Sequence, residues 1–193
     1  TDFLRTGTYD RNRDFHLTMS PSMDILISSN LERLLCFTAG EERTAAYMES
    51  LKKDGAYTVD AEVLAAINEN FSGYFADETA TAATIKAYFE GYDYLADTHT
   101  AVALSAAEQY VSTLSDVRPM VVDSTASPYK FAADVYESLG KTQPADPLAA
   151  LDELASATNT EIPYPLRGLG QREVRFTKVI DAEEMPVAVL EWC

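Results

Sequence analysis

Hydrophobic residues recur every three to four positions along most of this chain, which is the period of an α-helix. The stretch SSNLERLLCFTAG places three leucines on one helical face, between a serine that can cap the helix and Gly40, which can end it. Residues 41–54 continue with acids in the first turn and lysines in the last, an order that complements the helix dipole. Two consecutive helices are therefore predicted.

Later segments repeat this pattern, each behind a residue type that commonly starts a helix. Asp and Thr side chains accept hydrogen bonds from the free amides of a first turn, and proline suits the first helical position because it has no amide to lose. The predicted helices begin after Asp60, after Asp77, after Asp97 or Thr98, at Pro128, after Asp146 and after Asp181, where Glu184 completes a capping box.

Only one segment predicts a β-strand clearly. Residues 120–122 form an apolar run of the kind that is buried on both faces of a parallel sheet, and residues 172–180 are a second candidate. A buried parallel strand needs neighbouring strands, which a chain of seven or eight helices hardly supplies. The chain is therefore predicted to be mostly α-helical with one or two short β-strands, and to need a partner segment outside it.

Charge and composition exclude several classes of function. The chain has 193 residues, 47% of them hydrophobic, with 15 Lys and Arg against 31 Asp and Glu. The resulting net charge of -16 disfavours nucleic acids and anionic membranes as partners. No apolar run reaches the roughly 18 residues that cross a bilayer, so a cytoplasmic location is expected. Cys36 and Cys193 lie far apart, which argues against a disulfide framework or a metal site.

The turn that follows residues 120–122 carries candidate binding chemistry. In open parallel sheets, ligands bind beyond the carboxyl ends of the strands, and Ser124, Thr125 and Ser127 place three neutral hydroxyls at such an end. The alternative needs no ligand, because Ser127 can cap the next helix and Pro128 can occupy its first position. The residues alone leave both interpretations open.

Three segments together resemble a known family: LRTGTYDRNRDFHLTMSPSMDILISSNLERLL, YLADTHTAVAL and STASPYKFAADV. They are similar to the C-terminal part of threonine synthase, a pyridoxal-phosphate enzyme whose fold also includes the tryptophan synthase β subunit. The resemblance runs from Asp2 to about Trp192. It implies an α/β parent, of which this mostly helical chain forms part of the large domain of a fold type II pyridoxal-phosphate enzyme.

The resemblance also implies a reaction, and a role for the turn of residues 124–127, which we call the hydroxyl turn. O-phosphohomoserine and water give threonine and phosphate, with pyridoxal phosphate as the electron sink. The family places a hydroxyl in the position of Thr125 against the pyridine nitrogen of the cofactor, with Ser124 beside it. A neutral hydroxyl does not favour a protonated ring nitrogen, which moderates the electron sink and helps to choose among competing reactions.

Two parts of the family's machinery lie upstream of the matched region. Neither the motif of the Schiff-base lysine nor the glycine-rich phosphate loop occurs in this sequence. The chain is therefore expected to hold no catalytic residue of its own, to need the missing N-terminal half as its partner, and to be inactive alone. Lys130 is not the Schiff-base lysine. It is expected to be a surface charge, or else to orient the site or attract a phosphate.

The segment TMSPSMDI resembles the family's substrate-side loop, which makes Ser20, Ser22 and Asp24 candidates for contact with the substrate. The competing interpretation is structural, because serine suits a turn and Asp24 can accept hydrogen bonds from backbone amides. His99 resembles the family's histidine close to the cofactor domain, although a histidine at a helix start commonly has only a packing role.

Two other functions remain open at this point. A helical interaction module could use the acidic surface to bind a basic protein, and a related pyridoxal-phosphate phospho-lyase would release phosphate without making threonine. The orphaned strand edge predicts self-association of the isolated chain, which light scattering would detect. The chain is predicted to divide into a substrate-side loop and helix (1–40), a helical block (41–92), a cofactor-side strand and helices (93–140) and a helical tail (141–193).

Overall fold

The structure, a computed structural model, describes residues 1–113 and 118–192. Nine α-helices and two β-strands are formed within these ranges. Short 3-10 turns cover Pro21–Met23, Pro128–Phe131, Tyr164–Leu166, Leu169–Gln171 and Ala182–Glu184. The main elements, in chain order, are α1 (Asp2–Thr6), β1 (Thr8–Asp10), α2 (Ser29–Ala39), α3 (Glu41–Asp54), β2 (Ala56–Thr58), α4 (Ala61–Asn68), α5 (Glu78–Tyr92), α6 (Thr98–Thr113), α7 (Ala132–Ser138), α8 (Ala149–Thr158) and α9 (Met185–Trp192).

The two strands pair with each other and were not predicted. β1 and β2 are antiparallel, with Tyr9 opposite Tyr57, and the two rings stack at 5.6 Å between their centroids. Each strand begins directly after a helix that ends at a glycine with positive φ, Gly7 at 73° and Gly55 at 80°. Three residues are too few to produce a visible alternation of polar and apolar positions, so these strands cannot be recognised from the sequence pattern.

The first hydrophobic core lies among α1–α4 and the two strands. Its centre is the side chain of Leu35, which is completely buried. Burial of this apolar surface is what holds these short elements together, because helices of this length are marginal alone. The core residues are Phe3, Tyr9, Leu35, Leu51, Tyr57, Val59, Val63 and Ile67.

A second core forms where α5, α6, α7 and α8 pack together. Small residues on α6 let neighbouring helices approach closely, as the sequence predicted, and Ala101 is completely buried. The core residues are Ile85, Ala96, Ala101, Leu104, Tyr129, Ala132, Val135, Ala150, Leu151 and Leu154. The division between the two cores falls between α4 and α5, inside the block predicted for residues 41–92. The four-part division of the chain stays a prediction.

A helix forms in every predicted segment, with local corrections. The helix predicted after Asp146 begins at Ala149, and the one predicted after Asp181 begins at Met185, behind a 3-10 turn. Asp77 caps α5 through its Oδ1, which accepts a hydrogen bond of 2.7 Å from the Ala80 amide, and Asp181 and Glu184 form the predicted capping box. Asp60 does not cap α4, because its Oδ2 accepts a hydrogen bond of 2.7 Å from the Tyr47 hydroxyl instead. The helix predicted for residues 128–139 is a 3-10 turn followed by α7.

The strand prediction for residues 120–122 is wrong in this structure. The segment has no regular secondary structure, and Val121 is 84% exposed. The reason is the lack of a neighbouring strand to pair with. Within the described ranges, the only sheet is the β1–β2 pair, and residues 120–122 are not part of it. Residues 172–180 also form no strand, and Val179 is 94% exposed. No helix within the described ranges is long and apolar enough to cross a membrane.

Candidate functional site

Residues 18–24, which we call the strap, form a closed loop that is hydrogen bonded to α5 and to the start of α6. Asp24 closes it, because its carboxylate accepts hydrogen bonds of 2.8 Å from both the backbone amide and the hydroxyl of Thr18. The amide of Met23 donates to the Ser20 carbonyl at 2.9 Å, which completes a 3-10 turn. Asp24 therefore accepts a hydrogen bond from a backbone amide within the strap, as the structural interpretation of the sequence predicted.

Ser20 is the buried residue of the strap. Its side chain is 4% exposed, and its Oγ has no hydrogen-bond partner in the described part of the chain. A buried hydroxyl without a partner costs free energy, about 1–3 kcal/mol, which makes it an informative group at a candidate site. The neighbouring Met19 amide is held from α5, where Glu78 accepts its hydrogen bond at 2.9 Å.

A buried carboxylate organises the start of α6. Asp97 is 1% exposed, and its Oδ1 accepts hydrogen bonds from the amides of His99 at 2.8 Å and Thr100 at 3.2 Å. Its Oδ2 accepts a further hydrogen bond from the Thr100 hydroxyl. Of the two predicted caps, Asp97 is thus the one that serves α6. Such a carboxylate is tolerated in the interior because three donors satisfy it.

The hydroxyl turn is attached to this helix start through its first serine. The Oγ atoms of Ser124 and the Thr100 side chain are 3.1 Å apart and hydrogen bonded. Ser127 caps the following 3-10 turn, since its Oγ accepts from the Tyr129 amide at 3.3 Å, with Pro128 in the first position. The structural interpretation is therefore right for Ser127, whereas the exposed hydroxyl of Thr125 lies between these two fixed serines.

His99 connects the helix start with the strap. Its Nε2 accepts a hydrogen bond of 3.3 Å from the Ser22 backbone amide. Its Nδ1 lies 3.2 Å from the Thr98 hydroxyl and 3.4 Å from Asp97 Oδ1. The ring packs against Phe131 with 4.8 Å between centroids, and only 10% of the side chain is exposed. His99 thus has a packing role and a hydrogen-bonding role at once.

Lys130 lies at the edge of this arrangement. Its side chain is exposed, and its Nζ is 5.2 Å from the centre of the Phe131 ring, within reach of a cation–π interaction. Its backbone amide donates to the Ser127 carbonyl at 3.0 Å, as part of the 3-10 turn. The lysine is therefore a surface charge attached to the ring that supports His99.

The structure brings most of the predicted site residues together. Ser22, His99 and Ser124 are joined by hydrogen bonds through Asp97 and Thr100. The sequence predicted Asp97 only as a helix cap and did not single out Thr100. Phe131 was missed as well. The signal available for Thr100 was its position, three residues after a capping aspartate, where a hydroxyl can donate to the cap. Within the described ranges, no three His, Cys, Asp or Glu side chains cluster in a way that could hold a metal ion.

Comparison of the chain with known proteins points to one family. The family model described as threonine synthase, C-terminal, matches residues 100–189. The threonine synthase of Eremothecium gossypii is 32% identical over 201 aligned residues, which cover 96% of this chain and 37% of that protein. The chain belongs with the C-terminal region of threonine synthases. The resemblance seen in the sequence is thereby confirmed.

Two solved threonine synthases share the fold of this region. The crystal structure of the yeast enzyme superposes with a TM-score of 0.82 at 29% identity, over 98% of this chain and 39% of that one. The threonine synthase from Brucella melitensis with pyridoxal phosphate bound gives a TM-score of 0.74 at 34% identity, over 91% and 34%. The region is mostly helical with a few short strand residues, as expected, although its two strands are β1 and β2 and not the segments that were predicted. It spans under two-fifths of these relatives' length.

Proposed function

We propose that this chain forms the C-terminal part of a pyridoxal-phosphate-dependent threonine synthase, which converts O-phosphohomoserine and water to threonine and phosphate. One observation carries the proposal. A continuous set of hydrogen bonds runs from the Ser22 amide through His99, Asp97 and Thr100 to Ser124. These hydrogen bonds connect the strap, which would face the substrate, with the hydroxyl turn, which would face the cofactor. Such a connection is expected if both belong to one site.

The hydroxyl turn fits the cofactor in its chemistry. Pyridoxal phosphate would supply an electron sink for breaking bonds of the substrate amino acid. Thr125 is exposed and lies next to a serine that is fixed by Thr100, so the turn is held while the threonine hydroxyl is free to face a ring nitrogen. A hydroxyl both donates and accepts, and it carries no charge that would hold a proton on that nitrogen.

The strap would form the substrate-side wall. Ser20 has a buried hydroxyl that lacks a partner in the described residues, and a bound substrate group could supply one. Asp24 would keep the strap closed rather than contact the substrate, since Thr18 already occupies both of its oxygens. Lys130 would contribute a positive charge near the site, of the sign that attracts a substrate phosphate.

The remaining machinery would come from outside the matched region. The Schiff-base lysine and the glycine-rich phosphate loop of the family have no counterpart in this sequence. The isolated chain is therefore expected to be inactive, and the part that carries these groups is its expected partner. A cytoplasmic location remains a prediction.

The test replaces Thr125 in the complete polypeptide that carries this chain. Thr125→Ala should lower kcat/KM for O-phosphohomoserine about tenfold, because a hydrogen bond made to the reacting system is lost. Thr125→Ser, the matched control, keeps the hydroxyl and should retain most of the activity. Threonine and phosphate are measured together. Equal kcat/KM in the alanine variant and the parent would contradict the role given to Thr125.

The same assay separates the alternatives. Release of phosphate without threonine would identify a related phospho-lyase and overturn the proposed reaction. A complete polypeptide that neither binds pyridoxal phosphate nor consumes O-phosphohomoserine would overturn the enzyme assignment and favour a helical interaction module.

A further inference from the structure

The contact between His99 and Ser22 joins residues that are 77 positions apart in the sequence. Each of its two partners is placed by other interactions, the imidazole by Phe131 and by Asp97 Oδ1, which lies 3.4 Å from its Nδ1, and the amide by the closed loop of the strap. We propose that His99 is a positioning residue whose neutral form holds the strap on the start of α6, and that protonation of its imidazole releases the strap from that helix.

The donor and acceptor roles fix the tautomer of this histidine. A backbone amide can only donate, so Nε2 of His99 must be the unprotonated nitrogen that accepts from Ser22. The ring proton then lies on Nδ1. There it faces Asp97 Oδ1 at 3.4 Å and the Thr98 hydroxyl at 3.2 Å, both of which can accept it. The buried carboxylate thus selects the tautomer that the strap requires.

Protonation of the ring changes both contacts, in opposite directions. An imidazolium has a proton on each nitrogen, so Nε2–H would face the Ser22 amide, and two donors cannot share a hydrogen bond. The same imidazolium would gain a charged interaction with Asp97. A proton on Nε2 and the hydrogen bond from the Ser22 amide therefore exclude each other, while the contact with Asp97 is kept.

The other charged groups on the surrounding elements are already engaged. Asp24 of the strap accepts from Thr18, and Glu78 of α5 accepts from the Met19 amide. Lys130 lies beside Phe131, on the segment that packs against the imidazole, and its positive charge opposes a second one on the ring. Asp97, the cap of α6, is the acid in direct contact with the histidine ring in the described residues.

The consequence for catalysis rests on the proposed function. If the strap is the substrate-side wall, its release at low pH should raise KM for O-phosphohomoserine more than it lowers kcat. Replacement of His99 by glutamine should flatten this dependence, because the amide oxygen of glutamine accepts a hydrogen bond at every pH. The hydrogen bond between the Ser22 amide and His99 can be tested without any turnover.

The first measurement uses the chain as it stands and the nitrogen chemical shifts of its histidines in NMR spectra. At pH about 8, where an imidazole is largely neutral, His99 should have its proton on Nδ1 and a free lone pair on Nε2. A proton on Nε2 would overturn the proposal, since that nitrogen could not then accept from the strap. This measurement needs no variant.

The second measurement follows hydrogen exchange of the Ser22 amide. Exchange should be roughly tenfold faster in His99→Ala than in the parent, which is the effect of losing one hydrogen bond, and His99→Gln should restore protection. Lowering the pH until the nitrogen shifts of His99 show a protonated ring should weaken the protection in the parent, after correction for intrinsic exchange, and not in His99→Gln.

Two controls show whether the effect is local. The Ala80 amide, which donates to the capping Asp77 of α5, should keep its protection throughout. Ser22→Ala removes the hydroxyl but keeps the amide, and should exchange like the parent. Equal Ser22 protection in the parent and in His99→Ala, or a pH response that persists in His99→Gln, would overturn the proposal. Because these readouts involve neither cofactor nor substrate, they are independent of whether threonine is formed.

Discussion

At the scale of single residues, the candidate site is built from groups that are far apart in sequence. His99 and Ser22 could be named from the sequence, but their contact could not, because no local pattern links positions 77 residues apart. The bond between Thr100 and Ser124 has the same character. Asp97 was recognised as a cap, and only the structure gives its burial and its position beside the imidazole.

Asp134, in the first turn of α7, gives a prediction about pH. Burial raises the pKa of its carboxyl above the ordinary value, Glu137 and Glu78 raise it further, and a hydrogen bond from Gln143 opposes them. The folded chain therefore holds this proton to a higher pH than the unfolded chain does. The free energy of unfolding should fall as pH rises through the interval between the two pKa values.

Asp134→Asn cannot ionise and should lose this dependence. Above the interval, the variant should be more stable than the parent by less than about 1 kcal/mol, because solvent screens a half-buried carboxylate. Below the interval, both forms carry a neutral side chain and should be equally stable. Urea unfolding of both proteins at several pH values measures the difference. Parallel stability curves would show that Asp134 does not contribute in this way.

At the scale of secondary-structure elements, helices were predictable and strands were not. The helices carry long periodic patterns and capping residues, so local information suffices for them. β1 and β2 depend on pairing between segments 50 residues apart, Thr8 with Thr58. The apolar run at residues 120–122 has strand character but no strand beside it in the described chain, and pairing determines whether such a run becomes a strand.

Two glycines, one at the end of a helix and one within a helix, give predictions of opposite sign. Gly7 ends α1 with a φ of 73°, and a Cβ there would lie 3.2 Å from the Leu64 side chain, so Gly7→Ala should destabilise the chain by about 1–2 kcal/mol. Gly91 lies within α5 with nothing within 4 Å of an added Cβ, so Gly91→Ala should stabilise by about 0.5–1 kcal/mol. Thermal unfolding gives both signs. Shifts of the same sign would contradict the prediction.

At the scale of the whole molecule, two hydrophobic cores share one chain. Leu35 in the first and Leu154 in the second are completely buried. Each leucine-to-alanine change should cost about 2–5 kcal/mol, since it removes buried surface and leaves a cavity. Because the two residues have no core neighbour in common, the costs should add within about 0.5 kcal/mol in the double variant.

Hydrogen exchange would assign each loss to its own core. Amides of α2–α4 should lose protection in Leu35→Ala, and those of α5–α8 should lose it in Leu154→Ala. A strong coupling between the two changes would mean that the cores unfold as one unit. Self-association of the isolated chain stays a prediction, and the exposed apolar side chains of residues 120–121 and of the tail are its structural basis.

The strap also imposes an order on biosynthesis. A ribosome makes Ser22 long before it makes His99 or Phe131, so the strap must leave the exit tunnel without the surface on which it will rest. At common elongation rates the interval is on the order of ten seconds. During that time the first core can assemble from contacts already synthesised, whereas the strap stays unattached. Its docking is therefore a late event, which has to await the synthesis of the start of α6.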